Sequence, residues 1–365
     1  MKKYLILASA AIVAMAACTK VELDENIPAQ KITFEAASYV PQTKAEVSVM
    51  SEFTSFTCKA FLHAAGYSDV QNMFGVNGET ISAWTSGNVI TTTPADVAYW
   101  APSHDYYWPK DASSYVNFVA WYDANGTAPT TATEESLSWT NYTVDTDDNL
   151  LYADEAWRYK SNPDAEYHKD GSVSEGVPML FHHALAQLCI KAAVSKVNEG
   201  STYWDVTLSN IRLEGVYNKG DLTLSNSAPT GTEAQAKAWS GSWAPASGAT
   251  TTTVSMDTPA SSLTATLTDI LSFQKVLPQA VTSDMKLKFD YNISYRYGAN
   301  TADKEYAHEK ISATIDLSTI AGHIANWDMN KKITYNITIN PETTVIRIDP
   351  AVDDWAPVTG GSATL

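Results

Sequence analysis

The chain has 365 residues, enough for two domains that each bury a core of their own. Its formal charge is −17, from 24 Lys and Arg against 41 Asp and Glu, which excludes a nucleic-acid or anionic-membrane surface built on clustered cations. Charged residues make up only 18% of the chain while Tyr and Trp number 19 and 11, a balance that favours pleated, half-buried strands over helices.

The first element is "MKKYLILASAAIVAMAACTK", in which two lysines precede an apolar run from Leu5 to Ala17 and then Cys18. It has the make-up of a secretory signal and is too short to cross a bilayer as a mature helix. Its end, "AMAAC", resembles the lipobox of bacterial lipoproteins, with Met15 where Leu is more usual. That resemblance implies a signal peptide of residues 1–17 and a covalent lipid (diacylglyceryl and palmitate) on Cys18. An ordinary signal peptide with a chance cysteine is the other reading. Residues 18–31 read as a polar tether.

The first strand is "ITFEA", with Ile32, Phe34 and Ala36 on one face. A polar stretch, "YVPQTKAEV", follows and carries the lone Lys44 before Ala45. Further strands are expected at "FTCKAFLHA", "DVAYWAP", "YVNFVAWYD", "NLLYADEA", "ALAQLCIKAAV", "WDVTLSNIRLEGV" and "GDLTLS". Cys58 shares a face with Phe56, Ala60 and Leu62, a buried pattern, whereas Cys189 alternates with Gln187 and Lys191, a wetter one. Two free thiols are expected.

From Ser225 to Ser262 the chain turns into Ser, Thr, Ala, Gly and Pro around Trp239 and Trp243, which reads as a long hairpin or loop. Alternating strands resume with "ILSFQKVLPQA", "KLKFDYNISYRYG", "EKISATIDL", "KKITYNITIN" and "TTVIRIDP". The chain is therefore read as all-β, with β-sandwich domains at 32–196 and 197–365 and the boundary at "SKVNEGS".

Catalytic and metal motifs are sought without result. "GVYNKGDL" has glycines but no lysine to meet a phosphate, and "DTDDNLLYADEA" places Leu150 and Ala156 where a calcium loop needs Gly and a bidentate acid. His182 and His183 are adjacent, so on a strand they face opposite ways, one towards the core and one towards solvent. No Gly-x-Ser-x-Gly elbow occurs. No catalytic residue, metal site or cofactor beyond the lipid is expected.

Several stretches, in order, resemble the fimbrillin family of pilus subunits and surface lipoproteins of Bacteroides-type bacteria. They are the lipobox at Cys18; "ITFEA" with "TKA"; "YYWP" with "VNFVAWY"; "LLYA"; "VPMLFHHALAQL"; "VLPQA"; "NWDMNKKITYNITI"; and "IRIDPAVDDW". The resemblance implies two tandem transthyretin-like β-sandwiches and no enzyme activity. It also implies export to the outer membrane, and a fimbrium assembled after a trypsin-like protease cuts at Lys44–Ala45 and removes the strand of Ile32, Phe34 and Ala36. The partners it implies are other fimbrial subunits and a host or glycan receptor.

A strand donated by the next subunit would fill the groove. The segment 344–355 offers Ile346, Ile348, Val352 and Trp355 as a comparable apolar series, although it has the option of pairing within its own domain. The alternatives are an anchor or tip subunit, or a monomeric lipoprotein that binds glycans through exposed Trp, with Trp239 and Trp243 as candidates.

Overall fold

The computed structural model describes residues 31–38, 48–49, 52–93, 96–145, 148–159, 176–227, 235–256, 261–300, 305–307 and 310–355. Among these, regular structure is β-strand and no α-helix occurs. The strands begin with β1 (Phe34–Ser38), β2 (Ser48–Val49), β3 (Ser55–His63), β4 (Gln71–Asn72), β5 (Glu79–Trp84), β6 (Tyr99–Pro102) and β7 (Tyr115–Asp123). Next come β8 (Thr131–Ala132), β9 (Ser136–Thr143), β10 (Leu150–Ala153), β11 (Glu155–Tyr159), β12 (Val177–His183) and β13 (Ala186–Val194). The middle of the chain forms β14 (Asn198–Glu199), β15 (Thr202–Val216), β16 (Lys219–Ser225), β17 (Gln235–Lys237), β18 (Ser240–Pro245), β19 (Thr252–Met256) and β20 (Ser261–Ser262). The last are β21 (Thr268–Val276), β22 (Gln279–Ala280), β23 (Lys286–Tyr297), β24 (Glu305–Ala307), β25 (Ile311–Asp316), β26 (Asn326–Trp327), β27 (Lys331–Ile339) and β28 (Ile346–Asp354).

In the first half, β3 pairs with β5, β5 with β6, β6 with β1, β1 with β12, β12 with β10, β10 with β7, and β7 again with β3. The ladder returns to its starting strand, so the expected sandwich is instead a barrel-like ring. The direct β3–β7 pairing is what closes it. Phe34, Phe56, Phe118 and Phe181 fill its interior. β7 is buried on both faces: Val116, Phe118 and Ala120 point into the ring, while Val119 and Trp121 pack into a second cluster outside it. That explains its near-continuous apolar sequence.

The second half packs two sheets around one core. β21, β13, β27 and β28 form the first, and β15 and β23 with their neighbours the second. Leu188, Ile190, Val206, Phe289 and Tyr335 meet between them, each at most 1% exposed. β13 precedes the boundary expected at 196/197, yet it pairs with β21 and runs parallel to β27, both in the second half. The crossing occurs at Ala184 and Leu185, and the apolar run "HHALAQLCIKAAV" passes through it with no turn residue to mark the change of sheet.

The two halves share a third sheet, in which β9 and β8 of the first pair onward from β16 and β18 of the second. Its core holds Trp139, Trp239, Trp243 and Trp355. The insert expected as a long hairpin or loop thus contains β17 to β20, and β17 extends the ring sheet by pairing with β11. Burial of the tryptophans drives this. The indole Nε1 of Trp239 donates to the Ala153 carbonyl at 3.0 Å, and that of Trp243 to Ala184 at 2.6 Å. With exposures of 8% and 9%, neither residue is the exposed glycan platform that composition suggests.

Candidate strand-exchange site

β1 lies inside the ring wall. It runs parallel to β12 from Phe34 opposite Val177 to Ser38 opposite Phe181, meets β6 on its other edge at Trp100, and receives β2 antiparallel at Ala37 and Ser38. Ahead of it, the Ile32 amide donates to the Tyr106 carbonyl at 2.8 Å, and the Val177 amide donates to the Thr33 carbonyl at 2.7 Å. Lys31, at the entry, forms an exposed ion pair with Asp105 at 2.7 Å.

The alternation read in "ITFEA" is the alternation observed, with Ile32, Phe34 and Ala36 at 2%, 0% and 6% exposure. Phe34 stands edge-on to Phe118, Phe56 and Phe74, with centroids at 5.2, 6.1 and 6.2 Å. Burying Ile32 and Phe34 contributes about 2 kcal/mol each. Gly176 is the feature the sequence did not signal. A Cβ there would lie 2.7 Å from the Phe34 carbonyl carbon, so only glycine lets the start of β12 come so close to β1.

Lys44 and Ala45 lie outside the described residues, between β1 and β2, and Cys18 lies outside them as well. At the other end of the chain, β28 pairs antiparallel with β27 along its whole length, from Ile346 opposite Ile339 to Asp354 opposite Lys331. Ile348 is 7% exposed and seated in the second-half core, Ile346 packs against it, and Val352 is 46% exposed. Trp355 is 6% exposed and belongs to the shared core. Ile346, Ile348 and Trp355 are therefore occupied within this chain, whereas Val352 is exposed.

Trp355 is held by a residue for which the sequence suggested no task. Its ring stacks on His183 at 3.7 Å with 2° between the planes, and its amide donates to the Asn330 carbonyl at 3.0 Å. Glu52, just after β2, approaches His183 Nε2 to 3.2 Å and accepts from Asn149 Nδ2 at 2.7 Å. Burial alone would raise the Glu52 carboxyl pKa; His183 and Asn149 outweigh it and hold the group below the usual value. His182 is largely covered as well and bonds Asp154 at 2.8 Å, so neither of the adjacent histidines is the solvent-facing one that was expected. A chain of contacts thus links the segment after the first strand to the end of the last.

Neither cysteine is bridged, and Cys58 is fully buried as expected. Cys189 is equally buried, because Lys191 and Asp269 pair over it at 3.4 Å, with Cys189 Sγ 3.6 Å from Asp269. Among the described residues, no group of three His, Cys, Asp or Glu is placed to hold a metal ion.

Among the described residues, then, all regular structure is strand, the first strand is locked into a closed ring and the last lies paired along one edge of a sheet. A fimbrillin-like family model matches residues 69–355, and the chain belongs to that family. β1 and Lys44 precede the matched region. A fimbrial protein from Bacteroides vulgatus is 16% identical, with 90% of this chain and 100% of that chain covered and a TM-score of 0.50, a likeness of fold alone. A candidate cell adhesion protein from Bacteroides uniformis is also 16% identical, covering 89% of this chain and 98% of that one at a TM-score of 0.45. No curated protein matches the sequence.

Proposed function

We propose that the chain is a precursor subunit of a surface fimbrium that serves adhesion, a structural protein and not an enzyme. It is exported with a lipid on Cys18 that tethers it to the outer membrane. A trypsin-like protease then cuts at Lys44–Ala45. Loss of β1 opens the ring between β12 and β6, and a strand from the next subunit fills the gap. The family and the fold support the fimbrial role. The observation that carries the strand-removal step is the place of β1: the first strand of the described chain is an interior member of a closed ladder.

Excision there leaves unpaired backbone groups on both neighbouring strands and empties the pockets of Ile32, Phe34 and Ala36, a state that costs free energy until another strand enters. A donated strand restores both the ladder and the pocket contents: its main chain supplies the missing hydrogen bonds, and its alternate side chains seat in the vacated pockets. The donor we assign is 344–355, with Ile346, Ile348, Val352 and Trp355. Its release from β27 gives up the burial of Ile348 and Trp355, so exchange is favourable only when an acceptor offers matching pockets. A donor and an acceptor on every subunit make a heterologous contact that propagates as a filament.

Lys44→Ala tests the reading. The variant is expected to reach the surface folded but to form no polymer, as seen by electron microscopy and gel mobility. Filaments of normal abundance built from uncut protein would overturn it.

A further inference from the structure

An exposed aromatic cluster lies elsewhere than the sequence indicated. Across β15, β23 and β24, Trp204 is opposite Tyr295, and Tyr295 is opposite Tyr306. Cross-strand partners share a face, so the three rings form one row across three adjacent strands, about 10 Å wide at the usual strand spacing. Tyr295 and Tyr306 stack at 5.3 Å with 17° between planes, and Tyr297 stands across both, at 83° to the first and 68° to the second. The cluster therefore offers ring faces in two directions. Tyr297 is 61% exposed and Tyr306 38%.

The row continues the core face of its sheet beyond the end of the covering layer. Ile293 and Val206, two residues inward on the same face, are 1% and 0% exposed, and Trp204 only packs against the margin of that core. β15 starts at this end and finishes at Val216, beside Tyr217 of the shared cluster. The platform thus sits roughly 40 Å along the strand from the junction with the ring. A surface at the free end of the second half is well placed to meet something outside the fimbrium.

Charge selects among occupants. Lys196 lies over the Trp204 ring at 5.2 Å, but it is paired with Glu199 and, at 2.5 Å, with Glu342. On the opposite face of the strands Arg296 lies over Tyr203 at 5.6 Å and stands opposite Glu305 in register. On the platform's own side one cation, Lys196, stands against two carboxylates, Glu199 and Glu342, which leaves the fringe slightly acidic and unsuited to sialylated, sulfated or uronic chains. Flat amphipathic rings with hydroxyl tips and a rim of hydrogen-bonding groups fit the apolar C–H faces and hydroxyl edges of uncharged sugars.

We infer that Trp204, Tyr295, Tyr297 and Tyr306 form a binding platform for neutral hexopyranose glycans. The inference gives the adhesive reading a ligand and rests on that reading, not on strand removal. The test is affinity gel electrophoresis of the full-length protein in laminarin or galactomannan, with alginate as the charged control. A neutral polysaccharide is expected to retard the protein, and the Tyr297→Ala/Tyr306→Ala double variant to bind at least tenfold more weakly with an unchanged melting temperature and normal polymer formation. No retardation by either neutral glycan, binding unaltered in the double variant, or alginate bound as well as the neutral chains would each overturn it. Because the double variant still polymerises, failure here is distinguishable from failure of the assembly scheme.

Discussion

Glu155, on β11 outside the ring, shows how a single buried group sets a property of the whole. It is fully buried, Asn226 Nδ2 donates to its Oε2 at 2.9 Å, and Asn117 Nδ2 donates to its Oε1 and also to Glu134 Oε1 at 3.0 Å. Burial is the main reason its carboxyl is pushed from the ordinary 4.5 up to about 7, against the opposing Asn117 bond. The folded state thus holds a proton that the unfolded chain releases, and the contribution of Glu155 to stability is greatest below pH 4.5 and is lost as pH rises towards 7. The gap corresponds to about 3 kcal/mol. Glu155→Gln is expected to remove this slope, so that urea unfolding shows the variant gaining relative to the parent between pH 4.5 and 8. Parallel pH profiles for the two proteins would refute the assignment.

At this scale the sequence is informative about which face a residue takes and uninformative about what it meets. Ile32, Phe34 and Ala36 are legible because alternation is local. Phe56, Phe74 and Phe118 become partners of Phe34 only through ring closure, and nothing in their own neighbourhoods announces it. Cys189 misleads for a related reason: its flanking polar residues pair across strands and cover it.

Among the elements, β28 is the strand that the proposed exchange would have to release. Its inner edge is held by β27, and its far end is pinned where Trp355 stacks on His183. Removing that anchor tests whether the pin controls the strand. Trp355→Ala is expected to cost about 3–5 kcal/mol, as truncation of a buried aromatic does, and to speed hydrogen exchange in 331–339 and 346–354 while leaving the β1–β12 ladder protected. Uniform acceleration across both halves would show that Trp355 supports the shared core and does not specifically pin β28.

Strand existence is largely readable from period-two patterns, but pairing is not. The parallel contacts of β1 with β12 and of β13 with β27 join segments far apart in sequence, and parallel pairing needs long crossovers that carry no turn signature. The insert misleads because Ser, Thr and Gly favour turns by composition, whereas the burial of Trp239 and Trp243 holds it in strands.

For the molecule as a whole, a closed ring with β1 in its wall and a sandwich edged by β28 are joined through a common sheet and core. The proposed cut near one end and the proposed strand release at the other would therefore act on one packed body, in which Glu52, His183 and Trp355 form a chain of contacts. The scheme asks the protease to act at one bond, and the product has a defined first residue. Mass spectrometry of the amino-terminal peptide of protein sheared from intact cells reads that residue directly. The account predicts Ala45 as the first residue of the polymerised species; a polymer whose subunits still begin at lipid-bearing Cys18, with β1 in place, would contradict it.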